Sequence, residues 1–75
     1  MENVTGAWIN TGNSEFFVRN DDFFTNLKLA KAFSADLIVA IDFVDSKDKI
    51  LKTIKRKDCD NLHEFRCYYD SIAID

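Results

Sequence analysis

Seventy-five residues make a single domain, 1–75, and a chain of this length buries only about 60% of the surface its unfolded form exposes. The composition answers with apolar density: 47% hydrophobic residues, including seven Phe, two Tyr and one Trp, too much for a disordered segment. The longest apolar run, Leu37 to Ile41, falls far short of the roughly 20 residues of a membrane span, and two cysteines are too few for a disulfide scaffold. With a polar Met1-Glu2-Asn3-Val4-Thr5 start, these features set the expectation of a cytoplasmic protein with reduced thiols and no membrane contact.

The formal net charge of −3 hides an uneven distribution. Lys47 to Lys57 holds six of the ten basic residues against a single acid, Asp48. The rest of the chain holds four basic and twelve acidic residues, so a basic segment is set in an acidic body.

In chain order, Ala7 to Thr11 and Glu15 to Arg19 read as two strands joined by a Gly12-Asn13-Ser14 turn, since Trp, Ile, Phe and Val favour strands. Asn20 or Asp21 then suits a helix cap, and Asp21 and Asp22 complement the positive end of the helix dipole. Phe23, Leu27 and Ala30 recur at helical spacing, with Phe24 and Phe33 on the flanks. Residues 22–33 are therefore expected as an amphipathic helix, ended by Ser34-Ala35-Asp36. Leu37 to Val44 follows as a central strand with Leu37, Val39, Ile41 and Phe43 on one face.

Lys47 to Lys57 fits two patterns. As a helix it clusters Ile50, Leu51 and Ile54 behind a Ser46 cap. As a strand it follows the good turn Asp45-Ser46-Lys47-Asp48 and carries the β-branched Ile50, Thr53 and Ile54. The strand is preferred. A second turn, Asp58-Cys59-Asp60-Asn61, leads to a last strand over about Leu62 to Ile74, with Phe65, Cys67 and Tyr69 on one face. The expected fold is α+β: a small antiparallel sheet of about five strands, β-β-α-β-β-β, with one helix packed on one face.

Three patterns bear on chemistry. Cys59, His63 and Cys67 have a spacing suggestive of zinc ligands. On a strand, however, His63 and Cys67 would stand about 13 Å apart, whereas a helix would bring them to about 6 Å. With the strand preferred, no metal is expected. Asp42-Phe43-Val44-Asp45-Ser46 resembles the D-x-S-x-S metal-ion-dependent adhesion motif of von Willebrand factor A domains. Val44 stands where that motif has a hydroxyl ligand, and the parent fold is much longer, so a strand entering a polar turn is expected instead. With one His, no phosphate loop and no nucleophile elbow, neither a catalytic residue nor a cofactor is expected.

The basic segment, through Lys52, Lys55, Arg56 and Lys57, is a candidate for phosphate contacts, or else a lysine-protected edge strand. The aromatic doublets Phe16-Phe17 and Tyr68-Tyr69 weigh more. Neighbours on a strand point to opposite faces, so one member of each pair must leave the shared face. A sheet with one helix would expose there Phe16 or Phe17, Tyr68, Ile38 and Trp8 or Ile9, a patch of the kind that anchors interfaces. The expected function is protein binding without catalysis, with Phe16, Phe17 and Tyr68 supplying affinity. Asp58, Asp60, Glu64 and Asp70 would steer towards a basic partner. Size and acidity suit a small inhibitor or adaptor, of the kind a phage or mobile element directs at a host nucleic-acid enzyme. The alternatives are nucleic-acid binding through 47–57 and self-association as a homodimer.

Overall fold

A computed structural model describes residues 4–19 and 23–73. The side chains of residues 23–26 and 73 lie outside the description, as do the expected caps at Asn20 and Asp21. Four strands, β1 (Gly6–Asn10), β2 (Glu15–Arg19), β3 (Ala40–Val44) and β4 (Ile50–Lys55), form one sheet in the order β2-β1-β3-β4. Every neighbouring pair is antiparallel. Helix α1 (Phe23–Ser34) links β2 to β3, and helix α2 (Leu62–Ala73) follows β4 after a short 3-10 turn at Arg56–Asp58. The fold is α+β, and among the described residues there are four strands rather than about five and two α-helices rather than one.

The first hairpin forms as its residues demand. Gly12 takes a φ of 88°, and the turn is closed by Thr11 N–H donating to the Ser14 carbonyl at 2.9 Å. Asn10 Oδ1 accepts from the Gly12 N–H at 2.8 Å. The second hairpin makes Ile50–Lys55 a strand, the middle of the 47–57 segment, with Arg56–Asp58 turning as a 3-10 helix. Asp45 Oδ1 accepts from the backbone N–H groups of Lys47 at 2.8 Å and Lys49 at 3.0 Å, and Asp48 closes the turn at a φ of 62°.

Alternation in the paired strands sorts the sheet into two faces. Ala7, Ile9, Val18, Ile41, Phe43 and Ile54 point one way and are buried with Leu29, Ala32 and Phe33 of α1 and Phe65, Tyr69 and Ile72 of α2. The aromatic centre is Phe33, whose ring sits 5.6 Å from both Phe65 and Tyr69, with Tyr69 also 5.6 Å from Phe43. Both helices therefore pack on the same face.

Three expectations change. Among the described side chains of α1 the buried ones are Leu29, Ala32 and Phe33, while Leu27 is exposed; the expected Phe23 and Phe24 side chains lie outside the described ones. The third strand begins at Ala40 rather than Leu37. Ile38 is buried in the core, and Leu37 and Val39 are exposed.

The largest change is residues 62–74, expected as a strand, where Leu62–Ala73 is helical. Phe65, Tyr69 and Ile72 recur at helical spacing and are all buried, whereas Cys67, assigned to their face under strand alternation, is exposed. Asn61 caps this helix: its Oδ1 accepts from Glu64 N–H at 2.8 Å, and Glu64 Oε2 accepts from Asp60 N–H at 2.7 Å.

Candidate functional site

The face of the sheet away from the helices carries, by register, Arg19, Phe17 and Glu15 from β2 and Gly6, Trp8 and Asn10 from β1. Ala40, Asp42 and Val44 come from β3, and Thr53 and Lys55 from β4. At the Gly6 end Val44 is fully buried, so the uncovered area is the middle of the face, around Trp8, Phe17, Asp42 and Thr53. Trp8 is 37% exposed and meets Phe17 edge to face, with ring centroids 5.2 Å apart and planes at 65°. The Arg19 guanidinium lies 6.0 Å from the Phe17 centroid.

Gly6 positions this pair. A Cβ on Gly6 would overlap the Phe17 ring and stand 2.7 Å from the Val18 carbonyl oxygen. Only the bare backbone of β1 lets Phe17 lie across it. Beside the aromatics, Thr53 Oγ1 donates to Asp42 Oδ1 at 2.6 Å across β3 and β4. Arg19 and Lys55 are matched by Glu15 and Asp42, so the face has no net charge of either sign. Asp42 is thus tied to Thr53 and Asp45 to its turn, as a strand entering a polar turn requires.

The other candidates from the sequence fall on separate surfaces. Phe16 points to the helix side, half-buried against the core, with Lys28 Nζ 4.6 Å from its ring centre. Tyr68 stands on α2, 45% exposed, and shares with Asp58, Lys52 and Lys55 a shallow depression of about 190 Å³ along β4. Tyr68 is therefore not on the open face. Glu64 is held by the α2 cap, and Asp70 accepts from Arg66 Nε at 3.2 Å, so both have structural work; Asp58 and Asp60 are exposed.

The basic segment also divides. Lys52 pairs with Phe43 and belongs to the helix side, whereas Lys55 pairs with Ala40 on the open side. Lys57 is exposed in the 3-10 turn. Arg56 turns inward: its Nε donates to Asp36 Oδ1 at 3.2 Å and its Nη1 to the Cys59 carbonyl at 3.3 Å. Three of the four candidate cations, Lys55, Arg56 and Lys57, border one depression, while Lys52 stands on the helix side. That depression, of about 540 Å³, is walled by Val39, Ala40, Lys55, Arg56, Lys57 and Cys59.

Cys59 is buried, and desolvation, with Glu64 next in effect, pushes its thiol pKa up. It does not join His63 and Cys67, and among the described residues no three His, Cys, Asp or Glu side chains could hold a metal together. His63 and Cys67 do meet, because the segment is helical: Cys67 Sγ lies 3.6 Å from His63 Nε2.

Trp8 and Gly6 are the site residues that sequence reasoning left undecided or missed. A signal for Trp8 existed in the alternation of β1, where Ala7 and Ile9 take the inner face. Among the described residues no helix is long and apolar enough to cross a membrane. Compared with protein-family models, curated proteins and solved structures, the chain matches none.

Proposed function

We propose that the chain is a non-enzymatic protein-binding module and that its interface is the open sheet face centred on Trp8 and Phe17. One observation carries this reading: an edge-to-face Trp–Phe pair sits on the sheet face that neither helix covers, with Phe17 laid over Gly6. Trp is a frequent interface anchor, and the surrounding mix of Arg19, Glu15, Asp42 and Lys55 resembles the polar rim around such anchors. The balanced charge favours a protein surface over a phosphate backbone, which a strand of cations would serve better. Tyr68 and Asp58, beside β4, form a second and smaller contact on the other side of that edge. The acidic body suits an inhibitor or adaptor acting on a basic host protein in the cytoplasm.

Nucleic-acid binding is the second reading, supported by the exposure of Lys47, Lys49, Lys52, Lys55 and Lys57. Capture from nuclease-treated lysate at about 0.3 M salt separates the two, because phosphate contacts weaken steeply with salt. The tagged protein is compared with its Trp8→Ala/Phe17→Ala variant. A protein retained by the wild type and lost from the variant supports the sheet face. Recovery that the variant leaves unchanged, or that nuclease removes, overturns it.

A further inference from the structure

We propose that His63 and Cys67 are a bidentate ligand for a zinc-class divalent cation, and that one cation joins two copies of the chain through this pair from each. Their placement on α2 is the starting point. Both side chains are exposed, one helical turn apart, on the side of α2 away from Phe65, Tyr69 and Ile72. Tetrahedral zinc with ligand bonds of about 2.3 Å to sulfur and about 2.05 Å to nitrogen sets the two donor atoms about 3.5–3.6 Å apart. Cys67 Sγ and His63 Nε2 already stand at 3.6 Å. The pair therefore has the bite of two corners of the tetrahedron before any metal arrives.

The remaining corners come from elsewhere. Cys59 is buried, and among the described residues no third ligand completes a group. A structural zinc takes four protein ligands, and a second α2 related by a two-fold axis supplies the missing thiolate and imidazole, giving a two-cysteine, two-histidine centre. Binding releases the Cys67 thiol proton of each copy to solvent. Two thiolates and two neutral imidazoles then leave the dication with no net charge.

The surroundings act in the same direction. Within α2 itself Glu64 and Asp70 stand against Arg66, so the helix carries a net negative charge that favours a dication on its exposed side.

Cobalt(II) titration of the reduced full chain tests this. The expected result is a thiolate-to-cobalt charge-transfer band with intense tetrahedral visible bands, saturating at one cobalt per two chains. Sedimentation should show the mass double with zinc and return with chelator. Cys67→Ser should abolish the charge-transfer band, and His63→Ala should abolish the doubling, with far-UV circular dichroism unchanged because both residues are exposed. Saturation at one cobalt per chain without a mass change overturns the proposal, as does a weak octahedral spectrum without a thiolate band. A band that survives Cys67→Ser overturns it equally.

Discussion

Arg56 and Asp36, distant in sequence, meet at 3.2 Å and fasten the turn after β4 to the end of α1. Asp36 sits at a φ of 53° two residues after the helix, where its N–H donates to the Phe33 carbonyl and the Leu37 N–H to the Ala32 carbonyl, each at 3.1 Å. One acid thus serves as both helix terminator and anion for the arginine. A cation that the sequence counts among the basic stripe has been drawn into the architecture.

Arg56→Ala should accordingly cost about 1 kcal/mol, since it removes a half-exposed ion pair worth about 0.2–1 kcal/mol and a hydrogen bond to the Cys59 carbonyl. Lys57→Ala, at an exposed position, should stay within about 0.5 kcal/mol of wild type. Urea unfolding of both variants reads the difference; equal midpoints would show that the Arg56 contacts contribute nothing.

Gly6→Val should disturb the open face more than its distance from Trp8 suggests. The new side chain collides with the Phe17 ring and the Val18 carbonyl, at a cost of about 1–3 kcal/mol for overpacking. Trp8 is the chain's one tryptophan, so displacement of Phe17 should shift its fluorescence to longer wavelength. An unchanged emission maximum with unchanged melting temperature would refute this placement of Phe17.

Asn61→Ala removes the side-chain cap of α2 and should lower stability by about 1 kcal/mol, with Asn61→Asp nearly neutral. Phe65→Ala empties a fully buried site shared with Phe33 and should cost about 3–5 kcal/mol, enough to unfold a domain this small. Circular dichroism melts rank the three variants.

Burial raises the Tyr69 phenol pKa, opposed by the nearby Arg66 guanidinium and assisted by Asp70. The folded state therefore holds this proton more tightly than the unfolded chain. That stability is fully present below the ordinary phenol value, about pH 10, and is lost as pH rises through the folded value. Denaturant midpoints between pH 8 and 11, compared between wild type and Tyr69→Phe, should fall more steeply for the wild type. Parallel curves would show that the hydroxyl is hydrated in the folded state.

Much of the sheet is legible in the chain because its signals are local. Gly12, Asn10 and Asp45 dictate two turns, and alternating apolar residues dictate the strands between them. The last element is misread for a physical reason. Phe65, Cys67 and Tyr69 alternate like a strand, while Leu62, Phe65, Tyr69 and Ile72 recur like a helix, and aromatic and β-branched residues favour the first pattern. The deciding signal is Asn61 three residues before Glu64: Asn61 Oδ1 accepts from the Glu64 N–H and Glu64 Oε2 from the Asp60 N–H, a pattern that suits a helix start. The candidate site is legible in part: one Phe of the first doublet does face outward, but which one depends on pairing with β1. Phe17 resting over Gly6 is a tertiary relationship that no spacing encodes.

Gly6 also changes the thermodynamics of any encounter at that face. With Phe17 laid across bare backbone and Trp8 braced against its edge, both rings are held in one arrangement before contact. Freezing a mobile side chain at an interface costs about 0.5–1.5 kcal/mol, and a pair already immobilised spares the complex much of that loss. At the interface proposed above, such a pair would contribute more affinity per unit of area than the same two residues on a loop.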